Sequence, residues 1–327
     1  MLSRVADSIY WMCRYIERAE NIARFLNVNW RLMLDGNGGS QPQWEPLVHV
    51  TGDFDAFKER HGAGTRENVI HFLTFDAENP NSIVSCLESA RENGRSVREI
   101  IPAEVWEHVN RFYYFVRDAA NDSQLANSPM EFFTRIVMES YSFIGMTIAT
   151  MTHDEGWHFC HIGRMLERAD KTSRILDVKY FYLLPSGNGV GSVVDNVQWS
   201  ALLRSASALQ GYRQRHGPID LRNVVHYLLL EREFPRSVRY CVECVHDSLH
   251  RISGTPSGSF GNEAERNCGL LHSELTYGQV NDIVGMGLHE FVDGVQVKLN
   301  RIGAGIFETF FAIRVLPGQG IAAAIQQ

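Results

Sequence analysis

The fold is decided by a charged stretch inside an apolar run, Tyr10-Trp-Met-Cys-Arg-Tyr-Ile-Glu-Arg-Ala-Glu-Asn-Ile-Ala-Arg24. A second copy follows later as His161-Ile-Gly-Arg-Met-Leu-Glu-Arg-Ala-Asp-Lys-Thr-Ser-Arg174. The charged residues match at one shift of 150 positions, which aligns Glu17-Arg18 with Glu167-Arg168. Apolar residues recur at helical spacing around the first copy, so the pattern predicts a long helix there and an equivalent helix at the second copy.

The likeness between the two parts of the chain continues beyond these copies. At a shift of 155, Asn68-Val-Ile-His-Phe-Leu73 meets Asn223-Val-Val-His-Tyr-Leu228. At a shift of 158, Ile144-Gly145 meets Ile302-Gly303. Small changes of shift that fall in loops are typical of homologous halves, and an internal repeat is the first thing to establish about a fold.

We therefore predict two tandem homologous helical repeats, at residues 1–151 and 152–315, followed by a C-terminal tail at 316–327. Evidence for strands is nearly absent, which predicts an all-α, multi-helix bundle. Two similar halves usually pack about a pseudo-two-fold axis, as the subunits of an isologous dimer do.

Three helix boundaries are predicted from local signals. Residues 44 to about 57 read as one helix with proline in its first turn. Asn79-Pro80 reads as an N-cap followed by a first helical residue, and Thr152 with Glu155 forms a capping-box pattern before the second charged copy. The apolar run at 68–73 is compatible with a strand or with a buried helical turn.

Composition limits the classes of partner. The chain has 327 residues, 44% of them apolar, and a net charge of −7 without any basic tract. These values argue against nucleic acid and against an anionic membrane surface as partners. Arg4 and Asp7 interrupt any signal-peptide core, and the most apolar run, at 144–151, is too short to cross a bilayer. We predict a cytoplasmic protein, and the scattered cysteines suit that reducing compartment.

On a helical wheel, Arg14, Glu17 and Asn21 share one face of a helix whose remaining surface is almost entirely apolar. Such a helix is usually buried, and buried charges have to be paired, because their desolvation would otherwise cost several kcal/mol. We therefore treat four residues as one candidate site, with any catalytic role assigned to Glu17, Arg18, Glu167 and Arg168.

Three interpretations of this site remain open. It can be an ion-pair network that pins the two halves together, a polar pocket in which Arg grips a carboxylate or phosphate and Glu acts as acceptor or base, or part of a surface for a partner. In the second case the binding residues would be the neighbouring polar side chains, namely Arg14, Glu20, Asn21, Arg24, Arg164, Asp170 and Arg174.

Two Glu-x-x-His pairs have the spacing of ligands in di-iron helical bundles. Such a site would make the chain a metal-dependent helical-bundle oxidoreductase. The equivalent positions of the first repeat, near Val5 and Ser8, hold no ligands, and the pattern arises easily by chance. We predict no metal and no other cofactor. The weak candidates for ligands are Glu155, His158, Glu243 and His246, with His153 and His161 as extra ligands.

The sequence also lacks a nucleotide-binding motif. It contains no Gly-rich phosphate loop after a strand, no Walker pattern and no G-x-S-x-G elbow. Cys241-x-x-Cys244 has no second pair with which to form a zinc site. Any ATP chemistry in which this chain takes part therefore has to come from a partner.

Several of these stretches together carry a family resemblance. Tyr10-Trp-x-x-Arg-Tyr-x-Glu-Arg-Ala-Glu-Asn21 and Gly156-Trp-x-Phe159 are similar to motifs of the alpha-E proteins, formerly a domain of unknown function. Asn79-Pro-x-Ser-Ile83, Phe234-Pro-Arg-Ser-Val-Arg239 and Gly287-Leu-His-Glu-Phe-Val292 add to the likeness. The resemblance implies an all-α protein with a Glu-Arg signature.

The resemblance also implies a functional context. Genes of this family commonly lie beside a circularly permuted ATP-grasp ligase and a transglutaminase-like peptidase. We therefore expect a component of an amide- or peptide-bond-forming, or peptide-modifying, system that acts as partner or scaffold. The alternative is an enzyme in its own right, which would use the Glu/Arg pocket on a small carboxylate or peptide. The sequence does not decide whether the chain is an enzyme.

Overall fold

A computed structural model describes residues 1–34, 44–120, 128–182, 193–256 and 258–312. Within these ranges the regular elements are all helical, which confirms the predicted all-α class. The helices of the first half are α1 Ser3–Leu34, α2 Glu45–Thr51, α3 Phe54–His61, α4 Arg66–Thr74, α5 Ile83–Ser96, α6 Ala103–Ala119 and α7 Pro129–Thr150. The predicted tail at 316–327 lies outside the described residues.

The second half has the same general order. Its helices are α8 Glu155–Tyr182, α9 Val193–Ser205, α10 Leu209–His216, α11 Leu221–Val225, α12 Val238–Ser253, α13 Glu263–Tyr277, α14 Val280–Met286 and α15 Leu288–Ile306. Two of them continue into a π-helical turn, α11 into His226–Leu230 and α15 into Phe307–Phe311. Among the described residues, no helix is both long enough and apolar enough to cross a membrane.

The long helices α1 and α8 lie at the centre and pack along each other. Helix α1 also contacts α5 and α7, and α8 contacts α12 and α15, so each central helix is covered by helices of its own half. Ile9, Met12 and Ile16 of α1 are fully buried at helical spacing, as the periodicity predicted. The burial of these two helices on several sides places their charged residues inside the protein.

Helices α1 and α8 are in close contact at Gly163. A Cβ atom added to this residue would lie 2.3 Å from the backbone carbonyl oxygen of Tyr10, so only a glycine hydrogen fits. One helical turn further along, this contact brings the side chains of Arg14 and Glu167 within reach of each other. The glycine therefore sets the helix separation on which the charged centre depends.

Corresponding elements of the two halves share local details. Ser82 caps α5 by accepting from the backbone N–H of Ser85, and Ser237 caps α12 by accepting from that of Tyr240. Both α3 and α10 end in a His-Gly pair whose glycine has positive φ, 67° and 70°. This parallel order is what the duplication predicts, and the common origin of the halves stays a prediction.

The predicted helix boundaries need three corrections. The single helix expected at 44–57 is divided into α2 and α3, because Gly52 takes a left-handed conformation with φ 86°. Asn79 does not begin α5, since its side chain donates to the carbonyl of Phe72 while Ser82 provides the cap. The N-terminus of α8 is capped by Asp154, whose Oδ1 accepts from the backbone N–H of Gly156.

The ambiguous run at 68–73 is helical. Thr65 accepts a hydrogen bond from the backbone N–H of Asn68 and thereby caps α4, and Asp220 caps α11 in the same way. These polar residues just before the apolar run were the signal that separates a buried helical turn from a strand.

Candidate functional site

The four candidate residues form two reciprocal ion pairs between α1 and α8. Glu17 accepts from Arg168, with Nε and Nη2 each 2.8 Å from a carboxylate oxygen. Glu167 accepts from Arg18, with Nε at 2.7 Å and Nη2 at 3.0 Å. Two-pronged guanidinium–carboxylate contacts of this kind are the strongest hydrogen-bonded pairs available to side chains. Equivalent residues that face each other across a pseudo-two-fold axis would form this reciprocal pattern.

Further cations surround each carboxylate. Arg14 donates to Glu167 from Nε at 3.0 Å and from Nη2 at 2.9 Å, and Lys171 Nζ lies 3.6 Å from the same carboxylate. Glu17 accepts from Arg236 Nη1 at 3.1 Å. Glu17 is thus held by cations of the second half, and Glu167 by cations of both halves.

Sequence reasoning missed Arg236 as a site residue. At the shift of 155 it is equivalent to Asn81, whose Oδ1 accepts from Arg18 at 2.6 Å. Both residues follow a proline in stretches that carry the family resemblance, and this was the available signal. The two halves therefore supply a neutral amide on one side of the centre and a guanidinium on the other.

The outer binding candidates divide between the two carboxylates. Glu20 accepts from Arg236 Nη2 at 3.0 Å and contacts Arg24, which also donates to the hydroxyl of Tyr141. Asn21 donates to Glu17 at 3.2 Å. These residues lie on the Glu17 side of the centre.

Asp170 and Arg174 lie on the Glu167 side. Arg174 Nε is 3.0 Å from both oxygens of Asp170, and Lys171 Nζ is 3.2 Å from one of them. Arg164 is also buried but donates to His161 Nδ1 at 2.8 Å rather than to either glutamate. The structure thus brings the predicted residues together in one region, with Arg164 at its edge.

Burial and charge act on these carboxyl groups in opposite directions. Glu17 is 2% exposed and Glu167 is 0% exposed. Burial raises the pKa of Glu17, but the charges of Arg168 and Arg236 outweigh it and lower the pKa to about 2. Burial also acts on Glu167, and Arg18 and Arg14 hold its pKa well below the usual range. Both glutamates are therefore ionised but only weakly basic at neutral pH, which favours the ion-pair interpretation of the centre over a role as general base.

These shifts predict an acid limit to stability. A carboxylate whose pKa is lowered by folding stabilises the protein fully above its unfolded-chain pKa, about 4.3, and this contribution is lost as the pH falls toward the folded value. For Glu17 the folded value is about 2. We expect the melting temperature to fall steeply below about pH 4.3. Glu17→Gln should show a smaller fall than wild type, and parallel curves for the two proteins would contradict the assignment.

A pocket of about 270 Å³ lies beside the Glu167 side of the centre, between α1, α8 and α15. Arg14 and Asp170 form part of its wall. The rest is mainly apolar and aromatic, with Tyr10, Trp11, Leu166, Leu299, Phe307 and Phe311. Sequence reasoning included Arg14 and Asp170 among the binding candidates but gave no signal for the contribution of α15.

The weak metal candidates have other partners. Glu155 contacts the N-terminal amine of Met1, and Glu243 accepts from Arg232. His158 lies 3.3 Å from the Ser248 hydroxyl. In the described ranges, no group of three or more His, Cys, Asp and Glu side chains is arranged to hold a metal ion.

The other candidate histidines contact aromatic rings. His246 lies 3.1 Å from His250 and stacks on His272. His153 and His161 both stack on Trp157, with ring centroids 4.1 Å and 4.8 Å away. Elemental analysis of the purified protein tests the metal hypothesis, and one equivalent of bound metal would support it.

The fold and the site together define the class of protein: a helical protein with paired Glu-Arg side chains at its centre. The profile of the Alpha-E family, described as "a predicted alpha-helical domain with a conserved ER motif", matches residues 1–311. Since this match covers nearly the whole chain, the protein belongs to the Alpha-E family.

The curated relatives are longer proteins. One uncharacterised protein of Mycobacterium bovis and two of Mycobacterium tuberculosis are each 24% identical to this chain. The alignments cover 93% of this chain and 35% of each relative. The chain thus spans about a third of the length of the curated relatives that it matches. No solved structure gives a significant match.

Proposed function

We propose that this chain is the helical partner or scaffold component of an ATP-grasp-linked system that forms amide or peptide bonds or modifies a peptide. The observation that carries this proposal is the state of the signature residues. Glu17 and Glu167 each accept from at least two cationic side chains, which lower the pKa of both carboxyl groups, so they hold α1 against α8 and are weak bases. A rigid frame of this kind suits a component that presents a surface to another protein.

Two further observations support a partner. The sequence has no phosphate-binding loop, so any ATP used in the reaction would have to be bound by another protein. In the curated relatives the matching segment occupies 35% of a longer chain, so segments of this kind occur joined to further polypeptide. The family resemblance implies that a circularly permuted ATP-grasp ligase and a transglutaminase-like peptidase are the partners to test. An ATP-dependent partner also supports a cytoplasmic location.

The partner role predicts a physical complex. We expect the tagged ATP-grasp protein to retain this chain during affinity and size-exclusion chromatography, and to lose amide-forming activity at least tenfold when the chain is omitted. The control is the same experiment with an unrelated helical protein of similar acidity. Absence of a complex, together with unchanged ligase activity on omission, would rule out this role.

The second candidate function is an enzyme that acts on a small carboxylate or a peptide. It is favoured by the pocket beside Arg14 and Asp170, which combines charged and apolar walls. In this case turnover should persist when this chain is the only protein present. A requirement for the ATP-grasp protein in every turnover assay would instead favour the partner role.

A further inference from the structure

The pocket between α1, α8 and α15 is large enough for one ligand of about the size of an amino acid. Its volume is about 270 Å³, just below the range of roughly 300–1,000 Å³ that is typical for drug-sized ligands. Its mouth is bordered by Phe307, which is 54% exposed, and its deep wall by Tyr10 and Leu166, which are each 2% exposed. The pocket therefore runs from an exposed aromatic ring to a buried polar end.

The buried end offers hydrogen-bond donors. Arg14 has five N–H groups, of which two point to Glu167 and one to the hydroxyl of Tyr10. Burial raises the pKa of Tyr10, so its hydroxyl keeps its proton. A Cβ atom added to Gly303 would lie 3.9 Å from both Arg14 Nη1 and the Tyr10 oxygen, which places these donors directly beneath this glycine.

Positive charge exceeds negative charge around this end. Two carboxylates, Glu167 and Asp170, are shared among four cations of α1 and α8, namely Arg14, Arg18, Lys171 and Arg174. In a buried setting such an excess favours an anionic ligand, and a guanidinium with a neighbouring hydroxyl is well suited to a carboxylate.

The other walls fit the remainder of such a ligand. Asp170 accepts from the Nε–H of Arg174, which its two oxygens share, and from Lys171, fewer hydrogen bonds than these oxygens can take, and Asn300 also lines the pocket. These acceptors suit an N–H group. The Arg14 guanidinium lies 4.9 Å from the ring centroid of Trp11. Trp11 and Phe307 together offer an apolar surface.

We propose that this pocket binds the α-carboxylate end of an amino acid or peptide that has an apolar or aromatic side chain. The carboxylate lies on Arg14 and the Tyr10 hydroxyl, the adjacent N–H faces Asp170 and Asn300, and the side chain packs on Trp11 and Phe307. The inference rests on the second candidate function only in treating the pocket as a ligand site, and it requires no turnover. Binding without any reaction would support this inference and would count only against the proposed enzymatic function.

Isothermal titration of the full chain tests this inference with three probes. Free phenylalanine and N-acetylphenylalanine carry the carboxylate, whereas phenylalaninamide lacks it. We expect at least one of the first two to bind, and phenylalaninamide to bind at least tenfold more weakly. Preference for N-acetylphenylalanine identifies a peptide C-terminus as the source, and preference for phenylalanine identifies a free amino acid. The proposal is overturned if neither phenylalanine nor N-acetylphenylalanine binds, or if phenylalaninamide binds as tightly as they do.

Two variants locate the binding. Gly303→Leu fills the pocket and should abolish binding, while the matched Gly303→Ala should retain it, because the added Cβ meets its nearest neighbours at 3.7–3.9 Å. Phe307→Ala changes a mostly exposed ring, should leave the melting temperature nearly unchanged and should weaken binding about tenfold. Binding that survives both Gly303→Leu and Phe307→Ala places the ligand elsewhere and overturns the proposal.

Discussion

Glu167→Gln is expected to lower the free energy of unfolding by roughly 3–5 kcal/mol, the usual cost of removing one partner from a buried ion pair. The glutamine side chain has nearly the same shape, so packing is retained. The substitution would leave three cations without their shared negative charge: Arg14 and Arg18, which both donate to Glu167, and the nearby Lys171. We expect a fall in melting temperature of about 4–7 °C, to be followed by circular dichroism.

An exposed glutamate provides the matched control. Glu99 pairs with Arg98 at 3.2 Å, but its side chain is 84% exposed. Pairs of this kind contribute about 0–1 kcal/mol, so Glu99→Gln should melt within about 1 °C of wild type. If Glu167→Gln were equally harmless, the ion-pair interpretation would be wrong. Loss of a measured activity at unchanged stability would then favour use of the centre as a polar pocket.

Gly163→Ala is the second substitution with a large expected effect. The added methyl group would lie 2.3 Å from a backbone oxygen of α1, so the two central helices would have to move apart. Overpacking of this kind costs about 1–3 kcal/mol, and occasionally more. Because displacement of α1 also lengthens the Glu-Arg contacts, we expect a loss at or above the upper end of this range, measured by urea denaturation.

A second helical glycine separates this effect from helix propensity. Gly269 lies inside α13, and an added Cβ would meet nothing within 4 Å. Gly269→Ala should therefore stabilise the protein by about 0.5–1 kcal/mol, the normal gain of alanine over glycine in a helix. If Gly163→Ala behaved in the same way, α1 and α8 would not depend on close contact at this point.

Part of this architecture could be predicted because the physical requirement is local. An Arg and a Glu in a helix that is apolar on its other faces need partners of opposite charge. The repeated Glu-Arg pair at 17–18 and 167–168 offers such partners within the chain itself. Helical periodicity likewise led to the all-α class, because long amphipathic or buried helices leave a strong pattern.

Other features depend on contacts that no local pattern encodes. Arg236 reaches Glu17 from a loop in the other half, and its equivalent Asn81 carries no charge to suggest it. The pocket depends on how α15 packs on α1 and α8, which brings Gly303 over Arg14. The break at Gly52 was missed because a glycine within an apolar run is compatible both with a helix and with its end.

The reciprocal ion pairs also constrain the order of events during synthesis. Glu17 and Arg168 are 151 positions apart, and Glu17 and Arg236 are 219 positions apart. At about 5–20 residues per second, a ribosome needs roughly 10–40 s to add those 219 residues. Until then Glu17 lacks Arg236 as a partner, and before Arg168 is made it has neither of these two cations. We therefore expect the charged face of α1 to reach its final buried state only after the second half of the chain has been synthesised.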